Sequence, residues 1–462
     1  MEHKTVRVRF APSPTGHLHV GGLRTALFNY LFAKHNNGVY LLRCEDTDLE
    51  RSTEAFFDSQ MRSFEWVGLI PDEPVVIQST RFAQHFKVID SLIERKKAYK
   101  CYCTEQALAA RLGKTDENDF IRYDRYCFYN QTAHDEKDPF VIRFCMPESL
   151  SEYIFDDLIR GQISFSPEQY DDFIIVRTDG VPVYNFVVVV DDAFMAITHV
   201  IRGEEHIANT PKQIAIYNAC GYKVPFFAHL PMILGASGAK LSKRDGATSV
   251  NDYKEHGYLP EALVNYLAKL GWAYKDQEIF SMQELITHFS LEGVGKKGSI
   301  FDPEKLNWMN GLYIKNMSAR TLYEYMCTEL EYRFGELLPG WSQERIEKAI
   351  DVFKGRVITL EELKNELGTL RGQGNVLIPE FTKEMKQYVA MVRERFLKEG
   401  ISANTIKEVA KEADVPIVLV AQPVRLALIG KLHGPGIGDL IHLLTTQEVL
   451  ERLKKLEDVP FI

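Results

Sequence analysis

The first 48 residues carry the pattern that most restricts the fold. Residues 5–10 alternate between apolar and polar side chains as a strand does, and residues 38–44 form a second apolar run. Between them, Leu23, Ala26, Leu27, Tyr30 and Leu31 recur at helical spacing. A strand, a helix and a strand in this order predict a βαβ unit, and therefore an α/β fold with a parallel sheet.

The loop between the first strand and the helix is rich in proline, glycine and histidine. It is expected at the carboxyl edge of the sheet, where open α/β folds bind ligands. Gly16, Gly21 and Gly22 let the backbone approach a phosphate, and His17 and His19 can donate hydrogen bonds to its oxygens. The spacing matches neither the dinucleotide fingerprint nor the P-loop. The alternative is a connector whose histidines are merely polar.

Length and composition restrict the class of protein. A chain of 462 residues is expected to form two to four domains. The net charge of −9 argues against bulk attraction to nucleic acid and leaves room for a local basic surface. No apolar segment reaches the length of a membrane span, and the N-terminus lacks a signal-peptide pattern. Seven cysteines, an odd number, favour a reducing cytoplasm.

The remaining segments predict an insertion and a helical second half. Residues 100–150 lose the α/β rhythm, which suggests an inserted module. Residues 172–192 are predicted as two strands around a turn at 178–180, and residues 197–203 as a further strand. A helix is predicted from Thr210 to Gly221. From about residue 255, helical periodicity dominates, over residues 261–270, 320–334, 343–353, 380–398 and 404–413.

Charged residues at two kinds of place suggest chemistry. Residues 240–244, Lys-Leu-Ser-Lys-Arg, put three cations between glycines and could clamp the charge on a leaving pyrophosphate, although alone they are better explained as a solvated basic turn. Arg9, Glu45 and Arg202 lie at predicted strand ends. Arginine pairs with a carboxylate, and a glutamate side chain can pair with an ammonium group, but each of these residues alone is better explained as a surface or structural charge.

Three cysteines in the insertion have metal-ligand spacing. Cys101 and Cys103 are followed by Cys127, which suits a structural zinc ion. The alternative is a set of free thiols in a module that has lost its metal. Four further cysteines, namely Cys44, Cys145, Cys220 and Cys327, fit ordinary core positions.

Several segments resemble one enzyme family. His19-Val20-Gly21-Gly22 resembles the first signature of class I aminoacyl-tRNA synthetases, called HIGH, and residues 9–16 resemble its glutamyl version. Residues 240–244 resemble the second signature, called KMSKS. Residues 260–272, 301–314 and 420–430 also look like glutamyl-tRNA synthetases, so that the resemblance covers nearly the whole chain.

The resemblance implies an α/β Rossmann-type catalytic domain with an inserted α+β module, followed by an all-helical anticodon-binding half. The expected boundaries are 1–84 with 183–238 for the catalytic domain, 85–182 for the inserted acceptor-binding domain, 239–318 for a stem-contact domain, and 319–370 and 371–462 for two helical anticodon-binding domains.

The resemblance also implies the reaction. ATP, with Mg²⁺, and L-glutamate would form glutamyl-adenylate, and the glutamyl group would pass to the terminal adenosine of tRNA(Glu). Relatives need bound tRNA for activation, and the chain is expected to act as a cytoplasmic monomer without a membrane partner. The rivals are an enzyme that also charges tRNA(Gln), a relative that glutamylates queuosine, a nucleotidyltransferase, and a non-catalytic tRNA-binding paralogue.

Residue roles carry over from the family position by position. His19 and Lys243 are assigned to catalysis. The residues expected to bind ATP are Thr15, His17, His19, Gly21, Gly22, Lys240, Ser242, Lys243 and Arg244. Those expected to bind glutamate are Arg9, Ser13 and Arg202 at its carboxylates, Glu45 at its amino group, Tyr184 at the pocket wall, and Ala11.

The remaining roles concern tRNA and metal. Glu205 and His206 are expected near the acceptor end of the tRNA, and Arg356 and Arg425 near the anticodon. Arg356 stands where enzymes specific for tRNA(Glu) carry an arginine. The fourth zinc ligand has two candidates in related cysteine patterns, which are Tyr123 and Tyr129.

Overall fold

The computed structural model describes residues 5–48, 51–112, 122–130, 135, 138–148, 151–241, 249–372 and 382–458. The strands are β1 (Arg7–Phe10), β2 (Val39–Cys44), β3 (Val76–Ile77), β4 (Ala98–Cys101), β5 (Val141–Phe144), β6 (Tyr153–Asp157), β7 (Gly161–Phe165), β8 (Ile174–Val176), β9 (His199–Gly203), β10 (Phe226–Leu230), β11 (Ile233–Leu234) and β12 (Ser299–Ile300).

The helices are, in chain order, α1 (Val20–His35), α2 (Glu54–Trp66), α3 (Phe82–Glu94), α4 (Glu105–Leu112), α5 (Tyr126–Tyr129), α6 (Tyr184–Phe194), α7 (Thr210–Cys220), α8 (Val250–Glu255), α9 (Pro260–Lys269), α10 (Met282–His288), α11 (Pro303–Asn316), α12 (Ala319–Thr328), α13 (Phe334–Leu337), α14 (Gln343–Phe353), α15 (Leu360–Gly368), α16 (Lys383–Glu399), α17 (Asn404–Glu412), α18 (Ile417–Ile429), α19 (Ile437–Leu443) and α20 (Thr446–Glu457).

A seven-stranded sheet organises the first of two compact units, residues 1–252 with 263–302. Its order is β3-β2-β1-β9-β10-β6-β7, and every neighbouring pair is parallel except β6 and β7. β1, α1 and β2 form the predicted βαβ unit, with Arg9 opposite Leu41. The predicted parallel α/β fold is therefore confirmed, and the carboxyl ends of β1, β2 and β9 meet at one edge.

The insertion is divided between two sheets. β4, β5 and β8 form a separate antiparallel sheet beside the cysteines. β6 and β7 fall within the range 85–182 but belong to the main sheet, where β6 pairs with β10 and β7 pairs with β6. Pairing with the edge of the main sheet provides hydrogen-bond partners for the backbone N–H and C=O groups of this hairpin. The sequence predicted the residues of this hairpin as part of the inserted module. The predicted domain boundaries stay a prediction.

One secondary-structure prediction is wrong. Residues 184–192 belong to helix α6 and not to the second strand of a hairpin. The apolar run from Phe186 to Val190 is buried on every side, so it lacks the amphipathic period that identifies a helix, and its valines favour a strand. Tertiary burial overrides that local preference.

Helices build the second unit, residues 253–262 with 303–462, as predicted. Its core is a continuous apolar cluster, in which Phe353, Leu363, Val392, Leu428 and Leu453 are fully or almost fully buried. The predicted helical range also contains the two-residue strand β12, which belongs to the first unit and pairs with β11. Within the described ranges, no helix is both long enough and apolar enough to cross a bilayer.

Gly257 is expected to be essential to this helical unit. Its φ is +78°, and an added Cβ would lie 2.6 Å from the backbone nitrogen of Glu361, so that Gly257→Ala should lower the free energy of unfolding by about 2–4 kcal/mol. In Gly335→Ala, within α13, the added Cβ meets open space, and the change should be neutral or stabilising by up to about 1 kcal/mol. Denaturant unfolding compares the two, and equal stabilities would contradict the prediction.

Candidate active site

His19 ends the first signature loop and caps α1. Its Nδ1 accepts a hydrogen bond from the backbone nitrogen of Gly21 at 3.0 Å, so the ring proton of the neutral imidazole lies on Nε2. Burial, with a smaller contribution from Lys240, lowers the pKa of His19. His19 is therefore a neutral donor at the N-terminus of a 16-residue helix, which also favours anions.

His17 is held from the opposite side. Its Nδ1 lies 2.7 Å from Ser59 Oγ, which also accepts from Asn251 Nδ2 at 2.8 Å. The ring packs edge-on against Phe56, with centroids 5.3 Å apart. These contacts leave Nε2 of His17 available to a ligand.

The described residues that flank the second signature loop are anchored to the first loop and to strand β11. Ser249 forms a backbone bridge with His19, and the nitrogen of Val250 donates to Leu18 O at 2.9 Å. On the other flank, Lys240 bridges to Leu234. The predicted ATP-binding residues Ser242, Lys243 and Arg244 lie outside the described residues.

A cavity of about 530 Å³ opens at the carboxyl ends of β1, β2 and β9. All six predicted glutamate-binding residues line it, namely Arg9, Ala11, Ser13, Glu45, Tyr184 and Arg202. The signature glycines Gly21 and Gly22 and the predicted acceptor-end residues Glu205 and His206 also line it. Among the described residues, four that were predicted to bind ATP are not part of this lining, namely Thr15, His17, His19 and Lys240.

A buried charge network forms the floor of the cavity. Asp192 accepts from Arg9 Nε at 3.0 Å and from Arg43 Nη1 at 2.6 Å, and Arg43 Nη2 donates to Glu45 Oε1 at 3.1 Å. Burial would raise the pKa of Asp192, but the two guanidiniums outweigh it, and the pKa is lowered. Burial prevails at Glu45, whose pKa is raised.

Arg202 and two aromatic rings complete the wall. Arg202 is buried and donates through Nη1 to Gln213 Oε1 at 2.8 Å and through Nε to His229 Nε2 at 3.1 Å. Tyr184 lies 3.4 Å from His206 Nδ1 through its hydroxyl. Burial and the positive charge of Arg202 lower the pKa of His206 to about 4, so that its imidazole is neutral near pH 7.

Sequence reasoning missed Arg43, Asp192 and His229. Arg43 interrupts the apolar strand β2, and Asp192 follows the apolar run of α6, so each is a charge at the end of a buried segment. A charged residue at the end of a buried segment could have identified Arg43 and Asp192 as partners in an ion pair, because a buried charge requires a partner. The sequence around His229 carries no charged residue at the end of a buried segment that would have identified it.

Three sulfur atoms converge in the insertion. Cys103 Sγ lies 3.3 Å from Cys127 Sγ, and all three Sγ atoms, with that of Cys101, lie within 4.8 Å of one another. The hydroxyl of Tyr123 lies 3.2 Å from Cys101 Sγ, whereas Tyr129 is 64% exposed and its hydroxyl faces Glu148. Converging thiols with one further oxygen suit a tetrahedral zinc ion, and Tyr123 is the tyrosine that lies beside them.

Both predicted anticodon-binding residues, Arg356 and Arg425, lie in the helical unit. Arg425 donates to the carbonyl of Pro435 at 2.9 Å and to that of Leu432 at 2.8 Å. Burial, and then the charge of Arg356, lower the pKa of Arg425. The anticodon role of these two residues stays a prediction.

Family models decide the classification. The model of class I tRNA synthetases (E and Q), catalytic domain, matches residues 5–308. The chain belongs to this synthetase family. An anticodon binding domain model matches residues 321–456, in the helical unit. The predicted fold class, family and enzyme class are confirmed.

Known members of the family align along the whole chain. Glutamate–tRNA ligases from Thermodesulfovibrio yellowstonii and Trichlorobacter lovleyi are both 43% identical, and each alignment covers 98% of this chain and 98–99% of the relative. The crystal structure of a glutamate tRNA ligase from Elizabethkingia meningosepticum, in complex with its amino acid, is 32% identical with a TM-score of 0.86 and covers 98% of this chain and 99% of that chain.

Asp192 is expected to hold this synthetase site together. Asp192→Asn removes the charge shared by two buried guanidiniums, and should lower the free energy of unfolding by about 3–5 kcal/mol. The control Glu73→Gln breaks the ion pair with Arg7 at the surface, where the loss should stay below about 1 kcal/mol. Denaturant unfolding measures both, and a loss below about 1 kcal/mol in Asp192→Asn would show that the buried network is dispensable.

Proposed function

We propose that this synthetase is a glutamate–tRNA ligase. It forms glutamyl-adenylate and pyrophosphate from L-glutamate and ATP, and then transfers the glutamyl group to the 2′-hydroxyl of the terminal adenosine of tRNA(Glu). The observation that carries the proposal is the joint presence of Arg9, Arg202 and Glu45 in one cavity beside α1. The names of the aligned relatives support the same activity.

Charge complementarity favours glutamate as the amino acid. Two guanidiniums, of Arg9 and Arg202, meet the two carboxylates, and Glu45 meets the ammonium group. Arg9 donates hydrogen bonds to Asp192 through Nε and Nη2. Among the described residues no group accepts a hydrogen bond from its Nη1, which is therefore free to bind a substrate oxygen. Glutamine would leave one buried guanidinium without a charged partner, which is costly. Ala11, Ser13 and Tyr184 form the rest of the subsite.

Neutral donors and backbone amides hold the nucleotide. His19 offers Nε2–H to the α-phosphate, and Gly21 and Gly22 let the backbone at the start of α1 approach it. We assign Thr15, His17 and Lys240 to the nucleotide as well. The same assignment includes Ser242, Lys243 and Arg244, which lie outside the described residues. Mg²⁺ accompanies ATP. Catalysis in this scheme consists of positioning the reactants and stabilising charge on phosphate.

Separate surfaces contact the tRNA. Glu205 and His206 face the acceptor end from the cavity, and Arg356 with Arg425 reads the anticodon from the helical unit. We assign Arg356 to discrimination between tRNA(Glu) and tRNA(Gln). Since the net charge is −9, binding depends on local basic groups of this kind. The enzyme acts as a monomer in the reducing cytoplasm, consistent with seven free cysteines.

A charging experiment tests the proposal. The native enzyme should charge purified tRNA(Glu) with glutamate and leave tRNA(Gln) uncharged. His19→Asn keeps an oxygen that can cap α1 but removes the phosphate donor, so tRNA-dependent pyrophosphate exchange should fall by about 10²–10³-fold. The control is His35→Asn, at the other end of α1, where the ring bonds Ile286 O; its exchange rate should match the native rate.

The possible outcomes separate the alternatives. Charging of both tRNAs would keep the chemistry and overturn the role of Arg356. Charging of neither would overturn the function and leave a tRNA-binding protein without catalysis. A His19→Asn enzyme with native exchange would remove His19 from the phosphate site.

Zinc binding is tested separately. The native chain should retain about one zinc ion after dialysis, and Cys103→Ser should lose most of it because one of the three thiolates is gone. Cys220→Ser, at the end of α7, is the control and should retain the metal. Metal content and thiol titration measure the result. A native chain without metal and with three reactive thiols in the insertion would show that the module has no metal.

A further inference from the structure

Arg202 has a partner on the neighbouring strand that the proposed function does not use. β9 and β10 pair in parallel with Arg202 opposite His229. Across this register, Arg202 Nε donates to His229 Nε2 at 3.1 Å. The imidazole is fully buried and does not line the cavity, so its contact with the site passes through the arginine.

His229 is held in turn by Asp157, at the end of β6. Their contact joins Nδ1 and Oδ2 at 2.6 Å, and neither side chain is exposed. The other carboxylate oxygen of Asp157 accepts from the backbone nitrogens of Ile159 at 3.0 Å and Arg160 at 2.9 Å. The carboxylate is thus fixed by the turn that follows β6.

The hydrogen-bond pattern fixes the protonation state of His229. A guanidinium can only donate, so Nε2 must be the acceptor, and the ring proton lies on Nδ1 and is donated to Asp157. Burial outweighs the attraction of Asp157 and lowers the pKa of His229, which agrees with a neutral ring. The three side chains form one directed chain, from Arg202 through His229 to Asp157.

The other donors of Arg202 are held by α7. Nη1 bonds Gln213 Oε1 at 2.8 Å, and Nη2 bonds Thr210 Oγ1 at 2.9 Å. Contacts at Nε, Nη1 and Nη2 together determine the plane of the guanidinium. Loss of the acceptor at Nε would leave a buried N–H unsatisfied and would allow the group to rotate away from the cavity.

We propose that His229 and Asp157 are positioning residues that orient Arg202 toward a carboxylate of the substrate. The inference rests on the proposed function, because it takes Arg202 as a glutamate ligand. Binding energy for the amino acid then depends on two buried residues, one of which lies on the β6–β7 hairpin at the edge of the main sheet.

Two amide substitutions at His229 separate its contacts at Nε2, with Arg202 and with Thr210 Oγ1 at 3.3 Å, from its bond to Asp157 at Nδ1. The Asn amide lies near the position of Nδ1, so His229→Asn keeps a donor for Asp157 and loses the acceptor for Arg202. The Gln amide reaches the position of Nε2, so His229→Gln keeps the acceptor. We expect the KM for glutamate to rise about 10- to 100-fold in His229→Asn and only a few-fold in His229→Gln, with the KM for ATP unchanged in both.

The matched control is His199→Asn. His199 lies on the same strand as Arg202, stacks on Phe226 and bonds Thr198 Oγ1 at 2.8 Å, without a bond to the site. Its KM for glutamate should equal the native value. If His229→Asn does not fold, Asp157→Asn, which keeps the size of the side chain, should raise the KM for glutamate by about 3- to 10-fold.

The results distinguish this inference from the function on which it rests. An unchanged KM for glutamate in His229→Asn, or in Asp157→Asn where the first variant does not fold, would overturn the positioning role, as would an equal rise for glutamate and ATP. Arg202→Lys serves as the reference. If it also leaves the KM for glutamate unchanged, or if the native enzyme charges no tRNA with glutamate, the proposed function fails. If Arg202→Lys raises that KM and His229→Asn does not, only the positioning role is wrong.

Discussion

Two buried guanidiniums share one carboxylate at the floor of the cavity, and the arrangement of the site depends on that sharing. Arg9 comes from β1, Arg43 from β2 and Asp192 from α6, so the contact joins three elements that are far apart in the chain. An unpaired charge at this depth would cost a large part of the stability of a typical domain. The network therefore requires α6 to lie against the strands that end at the cavity.

The same constraint prepares the site before any substrate binds. Arg9 and Arg202 are each held by buried acceptors, and His19 is held by the backbone of its own helix. Side chains fixed in this way lose little entropy on binding and need little reorganisation. The entropy lost in orienting these side chains is lost during folding, and the packing of the sheet and its helices compensates for it. In the proposed function, selection of an amino acid with two carboxylates would then rest on the folded scaffold.

Much of the fold could be predicted from the chain, and so could a part of the residues that line the cavity. The βαβ unit, the strand at 199–203 and the helical half follow from local periodicity, and the cavity gathers all six predicted glutamate residues. Helix α6 escaped prediction because a segment buried on all sides has no amphipathic period. The choice between Tyr123 and Tyr129 also stayed open, since cysteine spacing alone does not say which hydroxyl turns toward the thiols.

The sequence by itself determined the class of the enzyme and supplied the candidate residues for its chemistry, because signature loops and strand ends are local features. Only the tertiary structure decided which charges neutralise one another. Asp192 with Arg9 and Arg43, and Asp157 with His229 and Arg202, are contacts between distant segments, and no periodicity encodes them. They form because parallel strands bring their carboxyl ends to one edge, where each buried charge must find a partner.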